Sequence, residues 1–338
     1  MLSIGLDVHE RTSSLCILDA SGRIVKELTV KGHPRKVIEW LRTLDEPFQI
    51  CFEVSTNYGW LYDQLQALAV RVFAAHPARL RLIFKSRRKN DRIDARRLAK
   101  LLFLDEVPTV HVPGLDVRAW RGLIEHRQSC VGERTRIKNG LRSLLRGHGI
   151  ESARGRRLWT RAGRAWLASL ELPTSVAMLR RDQFIDDLEH HNRKIRRVET
   201  ALAEIAAGHP GIALLRTIPG VGLRTAEAFL AYVDDPQRFA GRSIGAYLGM
   251  VPRQDASAGM NRLGRITKDG PGTVRQMLAE ATWQAIRRSS SVRARFERIR
   301  QGQSDRTKKA LVATAHYLAR VMIGMLNSGE AWREEAIA

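Results

Sequence analysis

Apolar and polar positions divide the first third of the chain into short runs. "LSIGLDVH", "SSLCILD" and "IVKELTV" are brief, apolar and rich in β-branched residues, with the turn signal "ASGR" between the second and third. They predict three meandering strands. "PRKVIEWLRTL" carries its apolar residues at helical spacing. Then come "FQICFEV", a strand, "YGWLYDQLQALA", a helix, "VRVFAA", a strand, and "DRIDARRLAKLLFL", a closing helix. The order β-β-β-α-β-α-β-α predicts a mixed sheet flanked by helices.

The rest of the chain reads as mainly helical. From Val117 to Gly147, and again from Ser175 to Ala207, apolar residues recur every three or four positions with Arg and Lys between them. Two such helices form an antiparallel hairpin within one chain or a coiled coil between two. In "LLRTIPGVGLRTAEAFLAYV" a Gly-Val-Gly turn separates two helical stretches, the pattern of a helix-hairpin-helix whose backbone N–H groups can approach a phosphate. "YLGMVPRQDASAGMNRLGRITKDGPGTVRQMLAEATW" reads as a Gly-rich loop running into a helix near Thr273. These patterns divide the chain into residues 1–112, 113–208 and 209–338.

Charge narrows the class of partner. Lys and Arg number 57 against 35 Asp and Glu, a net +22, so the expected partner is a polyanion, nucleic acid first. The 44% hydrophobic content supplies real cores and excludes a disordered basic tail. A membrane surface is the second candidate partner, but no apolar run reaches the roughly 18 residues of a spanning helix. The start "MLSIGLDVHE" shows no signal peptide. Cys16, Cys51 and Cys130 are isolated and read as ordinary thiols of a reducing cytoplasm. His190 and His191, beside Glu189 on a charged helix, read as solvated rather than as ligands.

Against that positive charge the acids stand out. Asp7 ends the first strand, Glu53 ends the fourth, and Asp91 and Asp94 open the last helix of this region. The plain account is local: Asp91 caps the helix and Asp94 pairs with Arg97 or Arg88. The chemical account starts from cost. An acid ending a buried strand must be solvated or bound, and strand ends are where α/β folds hold ligands. If the first and fourth strands are neighbours, all four carboxylates converge, and a hard cation such as Mg²⁺ would relieve their repulsion. Two such ions about 4 Å apart serve phosphoryl transfer.

"GLDVH", "FEVSTNYGWL", "AHPARLR" and "KNDRIDARRLA" resemble the N-terminal domain of the insertion-sequence-110 family of transposases, whose pattern the related Piv/MooV DNA invertases share. The resemblance implies a RuvC-like, RNase H-type domain with an Asp-Glu-Asp-Asp set at Asp7, Glu53, Asp91 and Asp94, using Mg²⁺ or Mn²⁺. His76–Pro77 stands where the family commonly has Asn-Pro. "G-x-I-T-K-x-G" followed by an "R-x-x-L" helix is similar to the family's C-terminal motif, and its register puts the nucleophilic serine on Ser257, with Ala258 intervening before Gly259. The resemblance further implies a covalent phosphoserine link to DNA. It also implies a non-coding bridge RNA pairing with donor and target DNA, and a homo-oligomer, a dimer or a tetramer as a dimer of dimers. Such a protein is expected in the bacterial cytoplasm, with the nucleoid when bound to DNA. A RuvC-type nuclease or junction resolvase would need the four acids and water but no serine. A non-catalytic nucleic-acid-binding scaffold would need neither.

Overall fold

The computed structural model describes residues 1–55, 58–84, 90–152, 157–239, 243–257 and 260–334. The chain divides into two compact units, Met1–Leu115 and Asp116–Ala338.

The first unit comprises β1 (Leu2–Val8), β2 (Thr12–Leu18), β3 (Ile24–Lys31), α1 (Arg35–Leu41), β4 (Phe48–Glu53), α2 (Tyr58–Gln66), β5 (Arg71–Ala75), α3 (Pro77–Ile83) and α4 (Asp91–Phe103). The sheet order is β3-β2-β1-β4-β5. β1, β2 and β3 are antiparallel neighbours, whereas β1, β4 and β5 run parallel. This is the mixed sheet that the strand–helix alternation predicts. The helix α3 is an addition: His76 Nδ1 accepts from the N–H of Ala78, and Pro77 occupies the first turn, where its missing N–H is not needed.

Both faces of the central strands are covered, which is why β1, β2 and β4 are buried along most of their length, with Ser3, Ser13, Ser14 and Gln49 buried among the apolar residues. Ile4, Leu6, Leu15, Ile50 and Phe52 pack with α1 and α2 residues such as Val37, Leu41, Leu61 and Leu65. On the other face Ala95 and Ala99 of α4 pack with Cys16 and Leu18. α4 crosses β1 at Gly5. A Cβ there would lie 2.1 Å from the Ala95 carbonyl oxygen and 2.2 Å from the Ala99 nitrogen, so the helix seats on bare backbone. Gly5→Ala is expected to lift α4 and destabilise the unit by at least about 2 kcal/mol, read as a lower urea midpoint. An unchanged midpoint would show that the helix is not seated this way.

The second unit comprises α5 (Leu115–Gly147, beginning at the boundary), α6 (Arg161–Ser169), α7 (Ser175–Ala207), α8 (Pro210–Leu215), α9 (Leu223–Val233), α10 (Ser243–Tyr247), β6 (Pro252–Ser257), β7 (Met260–Ile266), α11 (Gly272–Arg288), α12 (Ser290–Arg300) and α13 (Thr307–Ser328). α5 and α7 pair antiparallel within the chain. Arg127 of α5 bonds Glu199 near the end of α7, and Gly140, late in α5, adjoins the Phe184 ring, early in α7. Trp120, Ile124, Val198 and Leu202 from these helices enter the same core as α8, α9, α11 and α13. The far end closes over a small cluster with Leu141, Leu145, Leu158 and Leu167. α13 is long and apolar enough to cross a membrane by length and composition, unlike the expectation that no such run exists. Its Thr314, Leu318, Ala319 and Met322 are buried within the unit.

The stretch around Ser257 is not the loop expected from its glycines. β6 and β7 form an antiparallel hairpin in which Asp255 pairs with Arg262 and Ser257 with Met260. Among the described residues, Arg253, Gln254, Arg262 and Leu263 are all exposed, so they show no two-residue alternation of buried and exposed positions.

Candidate metal centre

β1 and β4 are parallel neighbours in the register Leu6↔Phe52. One step further along each strand stand Asp7 and Glu53. Leu6 and Phe52 are buried, and the chain meets the sheet's end at these two acids. α4 brings the other two. Its cap is Asn90, whose Oδ1 accepts from the N–H of Arg92, so Asp91 is the first helical residue rather than the cap. Both Asp91 and Asp94 sit in the first turn, where the helix dipole favours negative charge.

Among the described residues, Asp7, His9 and Asp91 offer ligand atoms that all lie within 4.8 Å of one another. Glu53 and Asp94 stand outside that tightest shell. Asp94 turns toward Arg97, 3.3 Å away, which is the local pairing expected of it, and the Arg97 guanidinium lies over the Phe84 ring. Arg88 lies outside the described residues, as does the basic run 85–89.

The electrostatics of Asp7 report how crowded the site is. Its side chain is 13% exposed. Burial raises its pKa from 3.8 to about 6; His9 opposes the rise, and the charges of Asp91, Asp94 and Glu53 add to it. A carboxylate pushed toward protonation by desolvation and three other acids is what a divalent cation would relieve. The Asp7, His9 and Asp91 donors therefore fit a divalent cation, with the charges of Glu53 and Asp94 acting on the same carboxylate.

His9 is the one member of this group that is not an acid. It follows Asp7 by two positions, one residue beyond the end of β1, so strand alternation alone does not place it. Its backbone N–H donates to the Thr12 carbonyl at 2.9 Å, which holds the β1–β2 connection in place.

In the second unit the Ser257 backbone ends β6, and its side chain lies outside the described residues, as do Ala258 and Gly259. What the surrounding motif builds is visible. Arg275, the arginine of "R-x-x-L", donates to the carbonyls of Leu248, Asp269 and Gly270 at 3.0, 2.8 and 3.2 Å. Leu278 is fully buried. Gly270 has φ +73°, and a Cβ on it would stand 2.0 Å from the Tyr247 carbonyl oxygen. The glycine and arginine of this motif thus clamp the base of the hairpin that carries Ser257. The Gly-Val-Gly turn also takes shape: Gly220 has φ +97°, and α9 follows with Gly222 as its cap and no side-chain hydrogen bond there.

A family described as a transposase, of the DEDD IS110 type, matches residues 4–150, and one described as Transposase IS116/IS110/IS902 family matches residues 212–297. The chain is 30% identical over 291 residues to the putative transposase y4qE of Sinorhizobium fredii, covering 83% of this chain and 70% of that protein. It is 26% identical over 336 residues to a probable family 20 transposase of Pseudomonas aeruginosa, covering 98% of each. A second Sinorhizobium fredii protein, the putative transposase y4pF/y4sB, is 28% identical over 259 residues, 74% of this chain and 66% of the relative. The chain belongs to the IS110 family of transposases, enzymes that cut and rejoin DNA.

Proposed function

We propose that this protein is the transposase of a mobile insertion sequence and that it cuts and rejoins DNA at the acidic end of its mixed sheet. The observation that carries the reading is the gathering of Asp7, His9 and Asp91 at that end, with Glu53 and Asp94 close enough to act on Asp7. The strand order β3-β2-β1-β4-β5, three antiparallel strands followed by two parallel ones, supports a RuvC-like, RNase H-type sheet. Asp7, Glu53, Asp91 and Asp94 would hold Mg²⁺ or Mn²⁺. Bound there, the ion would polarise a phosphoryl oxygen and ease loss of the leaving oxygen.

The chain's own residues do the rest. Ser257 is the nucleophile: its Oγ attacks a DNA phosphorus, a phosphoserine bond forms, and the 3′ or 5′ oxygen leaves. The attack requires that Ser257 be delivered to the acids of its own chain or of a partner. Strand exchange needs at least two such sites, so the working form is a homo-oligomer, a dimer or a tetramer. The Gly-Val-Gly turn, as a helix-hairpin-helix, holds DNA phosphate at the start of α9. Exposed Arg253, Arg262 and Arg265 lie on the hairpin, and Lys138 and Arg142 of α5 stand over the Trp159 ring. A bridge RNA pairing with donor and target DNA would choose the sequence, while the net charge of +22 holds both polyanions.

Two experiments test this. Full-length protein is incubated with the flanking non-coding RNA, donor DNA and Mg²⁺, then resolved on denaturing gels. An RNA-dependent protein–DNA adduct is expected, and the absence of cleavage with any divalent ion would sink the reading. Second, DNA affinity is expected to fall by about 10³-fold or more between about 50 and 200 mM salt, because several phosphate contacts release counterions. A nearly flat titration would argue against a backbone grip.

A further inference from the structure

We propose that His9 is a direct ligand of the divalent ion, through Nε2, and that it tunes the site toward Mn²⁺ over Mg²⁺. The inference rests on the metal reading above and extends it to a donor outside the acid tetrad.

His9 Nε2 stands 3.5 Å from Asp7 Oδ2 and 3.7 Å from Asp91 Oδ1. Neither is a hydrogen-bond distance; charge-assisted N–H···O contacts close to about 2.7–2.9 Å. An imidazole serving only as counter-ion would settle on one carboxylate. Here the nitrogen is poised between two. Donors sharing an octahedral ion with bonds of about 2.1 Å lie ~3 Å apart when adjacent and ~4.2 Å apart when opposite. The two separations are longer than an adjacent pair and shorter than an opposite one, and all three ligand atoms lie within 4.8 Å of one another, so shifts of about half an ångström would bring them around one ion.

The local chain explains how His9 reaches there. Asp7 ends the buried part of β1, and two residues on, the backbone N–H of His9 is fixed to Thr12. Asp91 comes from the first turn of α4, whose seat on Gly5 fixes its height over β1. One donor thus comes from the strand, one from the β1–β2 connection and one from the helix. The His9 side chain is 49% exposed, so it carries little packing and leaves room for water or phosphate to complete the shell.

The chemical consequence follows from ligand type. An all-oxygen set suits Mg²⁺, which holds to oxygen and water, whereas an imidazole nitrogen favours first-row transition ions. A set of carboxylates with one imidazole binds Mn²⁺ in preference to Mg²⁺ by more than the carboxylates alone would.

The test uses the full-length protein without nucleic acid. Mn²⁺ is titrated and followed by electron paramagnetic resonance, and Mg²⁺ by calorimetry. Electron spin echo modulation on the Mn²⁺-loaded wild type is expected to show coupling to an imidazole ¹⁴N. His9→Ala is expected to abolish that coupling, weaken Mn²⁺ about 10-fold or more, a change of about 1.4 kcal/mol, and leave Mg²⁺ within about 3-fold. His9→Asp, which restores an oxygen donor, is expected to narrow the Mn²⁺/Mg²⁺ ratio by strengthening Mg²⁺. Binding of Mn²⁺ with no ¹⁴N coupling in the wild type would overturn the ligand role of His9 while leaving the acid site standing. Absence of any divalent binding would overturn both. The wild-type spectrum needs no variant, so a substitution that disturbs folding does not protect the claim.

Discussion

Asp7→Asn is expected to abolish strand cleavage and, in the same protein, to raise the metal-free melting temperature near pH 8. The first effect follows from removing the most enclosed carboxylate of the set. A loss of about 10³-fold or more, equal to about 4 kcal/mol of barrier, is the scale of a lost metal-supported charge stabilisation. The second effect follows from the proton balance. In the folded chain Asp7 keeps its proton up to about pH 6, while its unfolded value is 3.8. Between those values the folded chain binds more protons than the unfolded one, so stability falls as pH rises through the window. The displacement from 3.8 to about 6 corresponds to about 3 kcal/mol of strain on the metal-free fold above pH 6. Asparagine carries no charge and removes that strain. At pH 4, where Asp7 is largely protonated, wild type and variant should melt close together. Added Mn²⁺ should raise the melting temperature of the wild type at pH 8 and do little for the variant. A variant that melts lower than wild type at pH 8 without metal, or that still cuts DNA at the wild-type rate, would remove Asp7 from this role. Nucleic-acid binding should survive the substitution, since the arginines and lysines proposed to grip phosphate are other residues.

Asp7 and Glu53 were legible because each breaks an apolar run, "LSIGL" and "FQICF", at the point where the strand leaves the core. Such a run has a sharp end only when both faces of the strand are covered, as they are for β1 and β4. The register that makes the two acids neighbours is a long-range fact, and the strand-by-strand reading could pose it only as a condition. Other features carried weaker signals. In the hairpin β6–β7 the described residues Pro252 to Gln254 and Arg262 to Arg265 are all exposed, so they show no buried alternation, and the glycines of the stretch are its strongest signal. Asp91 looked like a cap, but Asn90 one position earlier caps equally well and has the extended backbone that a cap requires. His9 was overlooked for a different reason. A histidine after an acid is common, and only the fold brings α4 close enough to give its nitrogen a second carboxylate. The close seat of α4 was also hidden: "SIGLD" shows a glycine in a strand, while the helix that needs the missing side chain lies about ninety residues on.

Ser257→Ala is expected to eliminate covalent protein–DNA adducts and recombination while leaving the fold and DNA binding intact. The position argues for a clean substitution. Ser257 ends β6, and its backbone pairs with that of Met260 in the hairpin register. The clamp beneath, Arg275 on the carbonyls of Leu248, Asp269 and Gly270, is untouched by the change. A serine hydroxyl has a high pKa and attacks phosphate slowly without assistance. "PRQDASAGMNRLGRITKDG" contains no histidine to act as a base, and under the proposed function the assistance comes from the acidic site of its own chain or of a partner. This coupling makes the paired result informative. Asp7→Asn and Ser257→Ala should each remove the adduct, and the double variant should be no worse than either, because both groups serve one step. Ser257→Cys, a smaller perturbation with a better nucleophile but a poorer phosphoryl bond, should retain a trace. If Ser257→Ala still produced cut DNA with free ends at the wild-type rate, water would be the nucleophile. The four acids would then belong to a nuclease of the junction-resolving kind, and the serine to the hairpin alone.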